Sequence, residues 1–125
     1  MGLFDKTVDA LSKSMDLQLL RHAVTSDNIA NAETPYYKAR RVEFEGALQQ
    51  AIAGYEEENP ATSIGQVKPF VFEDPTSDMG SDLNSVDMDR EMVEMKKNEV
   101  RYSATSQAVS KKFALMKYAI SGEGN

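Results

Sequence analysis

From Met88 to Ile120, apolar residues fall on a 4-3 spacing. Met88, Met92, Met95, Glu99, Tyr102, Ser106, Val109, Phe113, Met116 and Ile120 share it, and eight of these ten are apolar or aromatic. No Gly or Pro interrupts Ser81 to Ser121. The pattern predicts one helix of about 34 residues, about 50 Å long at ~1.5 Å per residue. A seam repeating every ~3.5 residues belongs to a helix packed along its length against other helices. Val100, Leu115 and Ala119 widen the stripe, so two helices alone would not cover it. Asn84 and Asp87 both fit an N-cap, and Gly122 fits a terminator. Asp87, Asp89, Glu91 and Glu94 near the start, with Lys111, Lys112 and Lys117 near the end, suit the helix macrodipole.

A second amphipathic pattern covers Leu3 to Asn31. Phe4, Val8, Leu11, Met15, Leu19, Ala23 and Ile29 form its stripe, widened by Leu20 and Val24. The helix stops for a chemical reason. Pro35 disfavours the α conformation at Thr34 and lacks an N–H. Asn31 is expected in the left-handed conformation that closes many helices, with Tyr36, Tyr37 and Lys38 extended beyond it.

The middle is less regular. A short helix is expected near Phe44 to Ile52, then loops around Gly54 and Pro60, with the acidic run Glu56, Glu57 and Glu58 read as a solvated loop. Val67 to Phe72 reads as a short strand, confined to an edge by Pro69, and a small β-hairpin is expected. Asp74-Pro75 and Met79-Gly80 signal turns. The expected fold is mainly α: long N- and C-terminal helices form an antiparallel coiled-coil-like hairpin, and the loop-rich segment hangs from its far tip. Residues 1–34, 35–85 and 86–125 are the N-terminal helix, middle segment and C-terminal helix of one domain.

Composition narrows the function. The 125 residues carry a net charge of −6, which argues against nucleic acid. The absence of cysteine excludes disulfides, thiolate metal sites and a Cys nucleophile. Asp5, Lys6 and Asp9 interrupt any apolar N-terminal region, so a cleaved signal is not expected. Met1-Gly2 with Lys6 is a poor myristoylation match, and no stretch approaches a membrane span. His22 has no second His or Cys with which to ligate a metal. The seven Met residues read as adaptable packing, and Lys111 and Lys112 as a polar helix face. Gly-rich phosphate loops, nucleophile elbows and His-Glu-x-x-His are missing. Asp87 and Glu91 read as helix-start charge. No catalytic residue, cofactor or metal is expected.

One segment resists a purely local reading: Asn28-Ile29-Ala30-Asn31-Ala32-Glu33-Thr34-Pro35-Tyr36-Tyr37-Lys38. A helix end explains Asn31 and Pro35 but not Asn28, an indifferent helix former one turn earlier. Two amides three residues apart share a helix face. They either tie the exit turn back onto the helix or hold the backbone of a neighbouring chain.

The segment resembles the signature of the flagellar axial proteins (rod, hook and related types): Asn-Ile-Ala-Asn, two variable residues, then Thr-Pro-Gly-Tyr-Lys. Asn28, Ile29, Ala30, Asn31, Thr34, Pro35, Tyr37 and Lys38 match. Tyr36 departs, standing where that family usually has Gly. Asn84 to Met92, Lys97-Asn98, Tyr102 and Ser110 to Ile120 resemble the C-terminal half of one short proximal-rod type, and the chain has no room for the large inserted domains of hook and distal-rod proteins.

The resemblance implies a non-enzymatic subunit of the bacterial flagellar basal-body proximal rod, the drive shaft and export channel. It implies export by the flagellar type III apparatus without signal cleavage, and assembly in the periplasm by helix packing. The implied partners are other rod proteins, further copies of the chain, the rod–MS-ring adaptor FliE and the export gate. The matched residues would form a subunit interface; Met88, Met92, Met95, Tyr102, Val109, Phe113, Met116 and Ile120 would form the packing seam. Three alternatives stand beside it: a soluble helical adaptor or chaperone of a secretion system, the other short proximal rod protein, and a small acid/base enzyme using helix carboxylates.

Overall fold

The computed structural model describes residues 3–55 and 63–122. The expectations for Met1-Gly2 and the Glu56–Glu58 run lie outside them. The elements are α1 (Leu3–Ala30), β1 (Arg40–Glu43), α2 (Glu45–Tyr55), a 3₁₀ turn (Ile64–Gln66), β2 (Phe70–Glu73) and α3 (Met88–Ile120). The fold is mainly α, with two long terminal helices packed on each other and a two-stranded antiparallel sheet. No helix among the described residues is long and apolar enough to cross a membrane.

The middle segment does not hang from the tip. It folds back along α1 and forms the apolar core with it: Leu17 and Val24 meet Val42, Phe44, Leu48, Ala51, Ile64 and Val67. On α2, Leu48, Ala51 and Ile52 recur at helical spacing, and α1 offers the apolar surface that covers them. The stripe expected on α1 is correspondingly rotated. Leu17 is buried, whereas Leu19 is 51% exposed.

The strands are not a hairpin. Arg40 pairs with Glu73 and Glu43 with Phe70, so α2 and the 3₁₀ turn lie between the partners. Ala39 accepts from the Asp74 amide at 2.8 Å. Backbone groups alternate in direction along an antiparallel strand, so those of Arg40 point away from β2.

No α3 residue joins this core among the described residues. The buried residues of α3 are Glu91 and Asn98. Asn98 Nδ2 donates to the Gln18 carbonyl at 2.8 Å, and Gln18 Nε2 donates to Thr105 Oγ1 at 3.3 Å. Together with Asn28 against Glu91, these contacts run in opposite directions along the two helices, which are antiparallel as expected. The buried line of α3 is therefore Glu91–Asn98, continued by Thr105. The expected seam of Met88, Met92, Phe113 and Ile120 is exposed, and Met95, Tyr102, Val109 and Met116 are half-buried. The reason lies on α1, which turns Leu17 and Val24 toward the middle segment and leaves Gln18, Thr25 and Asn28 as its other buried positions.

Candidate assembly interface

Pro35 and Tyr36 take the central positions of a turn closed by the Tyr37 amide on the Thr34 carbonyl at 3.3 Å. Tyr36 has φ 65°. Proline followed by a positive φ is the type II pattern, in which Gly is favoured at the second position. The left-handed residue expected at Asn31 is thus Tyr36, where the resemblance expects glycine. The turn is kept, and Tyr bears a strain that Gly would not.

Asn31 closes α1 differently. Its Nδ2 donates to the Asp27 carbonyl at 2.8 Å, and its Oδ1 accepts from the Thr34 hydroxyl at 3.1 Å. Asn84 does not cap α3 either. Its Nδ2 donates to the carbonyls of Asn31 (2.8 Å) and Thr34 (2.6 Å), clasping the exit of α1 to the approach to α3. The Tyr36 amide on the Asp82 carbonyl and Lys38 Nζ on the Leu83 carbonyl reinforce this clasp. The N-cap is Asp87, whose carboxylate accepts from the Arg90 amide.

Asn28 is fully buried. Its Nδ2 donates to the Arg40 carbonyl at 2.9 Å and to Glu91 Oε2 at 3.0 Å; its Oδ1 accepts from the Arg40 amide at 3.0 Å. The side chain stands in for the missing strand beside Arg40. It ties the exit turn to the helix within one chain, one of the two roles its spacing allowed.

Behind Asn28 lies an ionic network that joins β1, the end of β2 and α3. Arg41 Nη2 is 2.7 Å from Glu91 Oε1, and Arg41 Nε donates to Asp74 Oδ2 at 2.8 Å. Arg90 reaches the same Asp74 oxygen at 3.1 Å. Glu91 is fully buried and Asp74 nearly so, so Glu91 is more than helix-start charge. Burial alone would raise the Asp74 pKa. Hydrogen bonds from the Thr76 hydroxyl and amide, Ser77 and Arg41 outweigh it and hold the carboxyl well below the usual range. Glu45, bound bidentately by Arg21, is likewise pulled against its burial to about 2. Sequence reasoning missed Arg41, Asp74 and the pairing of Glu91. Its one available signal was Glu91, Asn98 and Thr105 at seven-residue intervals, a polar line running parallel to the apolar stripe of the helix.

The signature residues thus divide. Asn28 is buried, Ile29, Asn31, Tyr37 and Lys38 are half-buried, and Ala30, Thr34 and Pro35 are exposed. The clasp gathers them at one end of the hairpin, while the seam residues run the length of α3. No cluster of three metal-ligating side chains occurs among the described residues.

No protein-family model matches the chain. It is 33% identical over 117 residues to the flagellar basal body rod protein FlgB of Borrelia hermsii, spanning 82% of this chain and 87% of that protein. It is 30% identical over 132 residues to the FlgB of Bacillus subtilis, 98% of each, and 28% identical over 124 residues to that of Escherichia coli, 86% and 90%. At this identity over most of both chains, the chain belongs to the FlgB family of flagellar basal body rod proteins.

Proposed function

We propose that this structural rod protein is a non-enzymatic subunit of the proximal rod, one that builds drive shaft and export channel by helix packing. The observation that carries this is the inversion of α3. Its docking residues are polar, while Met88, Met92, Val93, Val100, Phe113 and Ile120 remain 42% to 83% exposed. A helix with this much apolar surface outside gains most of its burial from neighbours. Torque then passes through interlocked α1–α3 pairs, with the signature residues Asn28 to Lys38 shaping the end of each. Other rod proteins, further copies of the chain, FliE and the export gate are the partners this reading requires. It also requires type III export into the periplasm without signal cleavage.

The test is substitution of the exposed signature residue Pro35 by Ala, beside Asn31→Ala. Both variants are expected to keep wild-type helicity by far-UV circular dichroism yet lose rod incorporation and motility. Normal motility with normal rod incorporation in both would overturn the role given to this turn. A chain recovered only as a discrete soluble dimer, never in basal bodies, would favour an adaptor instead.

A further inference from the structure

The small sheet has two outer edges, and the chain fills one of them. On β1 the outward amide and carbonyl of Arg40 are taken by the Asn28 side chain, at 3.0 and 2.9 Å. Nothing among the described residues does the same for β2. The Asp74 amide bonds the Ala39 carbonyl. By alternation the pairs Arg41–Phe72 and Glu43–Phe70 exchange bonds across the ladder, whereas Arg40–Glu73 and Val42–Val71 do not. The amides and carbonyls of Val71 and Glu73 therefore point outward, away from β1. None of these groups has a hydrogen-bond partner among the described residues.

The open edge is also apolar. Phe70 is 66% and Val71 40% exposed, and Phe72 is half-buried. The rings of Phe70 and Phe72 stack on each other on one side of the strand, with centroids 5.5 Å apart, and neither joins the core. Natural sheets guard such an edge with charge, a bulge or a covering element. Here Glu73 is the one charge on the strand. Pro69 marks where the free edge begins, because it has no N–H to offer.

We propose that β2 is a docking edge for an extended segment of another protein, which joins the sheet as its third strand. Only an extended backbone presents donors and acceptors at the two-residue repeat of Val71 and Glu73. Its side chains beside Phe70 and Phe72 are apolar or aromatic, and its residue opposite Glu73 is basic or neutral. A second copy of β2 fits poorly. Three antiparallel registers bring the outward groups of two copies together. Centred on Val71, Pro69 falls opposite Glu73 and a bond is lost; centred on Phe72, Phe70 falls opposite the ion-paired Asp74; centred on Glu73, two carboxylates meet. The occupant is therefore a foreign strand. The inference stands on this edge alone and does not need the rod reading.

The test titrates the isotope-labelled full chain with a capped peptide, acetyl-Lys-Phe-Thr-Phe-Thr-amide, followed by NMR. Run antiparallel, its Lys lies opposite Glu73 and its two Phe opposite Phe72 and Phe70. The Val71 and Glu73 amide signals are expected to move downfield, and their hydrogen exchange to slow by about tenfold or more at saturation. The Phe72 amide, already in the ladder, should change little. The same peptide N-methylated at its Lys and first Thr keeps every side chain but loses the donors, and it should not bind. Val71→Pro removes an outward N–H and no bond to β1, so it should weaken peptide binding by about tenfold at an unchanged thermal midpoint. If that variant does not fold, the methylated peptide alone decides. No change at Val71 and Glu73 up to about 1 mM peptide, equal binding of the methylated peptide, or full binding to a folded Val71→Pro would overturn the proposal. So would a dimer in sedimentation velocity that protects the same two amides without peptide, since the occupant would then be a second copy.

Discussion

Replacing Asn28 by Ala separates two residues that the signature treats alike. Asn28 is fully buried, so water cannot take over its bonds. The variant strips partners from the Arg40 carbonyl, the Arg40 amide and Glu91 Oε2, held at 2.9, 3.0 and 3.0 Å. Each buried group left unsatisfied costs about 1–3 kcal/mol. The three belong to one network and are not additive, so the expected loss is about 3 kcal/mol. With a urea m-value of about 1.5 kcal/mol/M, the midpoint falls by about 2 M at unchanged m. The corresponding Tm drop is about 10 °C for a domain of this size. Asn31→Ala is the control. Its side-chain bonds, to the Asp27 carbonyl and Thr34 hydroxyl, are solvent-accessible, and its cost is expected to stay near 1 kcal/mol. Urea titration followed by far-UV circular dichroism at pH 7 measures both. A loss below about 1 kcal/mol at Asn28, or equal losses at the two positions, would refute the claim that Asn28 replaces a missing strand.

Tyr36→Gly should be more stable than Tyr36→Ala by about 1 kcal/mol, since Gly alone relieves the positive φ and little burial is lost at a side chain 71% exposed. Thermal melts of the two variants decide this, and an Ala variant as stable as the Gly one would remove the strain argument. Acid should destabilise the fold in a defined window. The folded Glu45 pKa is depressed to about 2 against about 4.3 unfolded, so its contribution is intact above the unfolded value and is lost as pH falls toward 2. Asp74, also held low, acts in the same direction. The urea midpoint should fall between pH 5 and 3, with a shallower fall in Glu45→Gln; a flat midpoint over that range contradicts the assignment.

The long helices, their approximate ends and the stop at Pro35 were legible in the sequence, because periodicity, caps and proline act within a few residues of themselves. The signature segment was legible as well, since a run of Asn, Thr and Pro at fixed offsets is itself local information. The choice of inner face on α3 was not. Met88, Met92 and Phe113 have the apolar character of packing positions, yet Glu91 and Asn98 lie inside. Hydrophobicity says that a residue gains by burial but not which surface supplies it. Within this chain the apolar face of α1 is already covered by β1, α2 and the 3₁₀ turn. The long-range pairs were equally out of reach. Arg41 with Glu91, Asn84 with Asn31 and Arg40 with Glu73 join residues 50, 53 and 33 positions apart, and no local spacing marks them. The sequence by itself determined which segments are helical and where they turn. Only the tertiary structure decided which helix faces meet and that they meet through polar side chains, because that depends on competition among distant surfaces for the same neighbours.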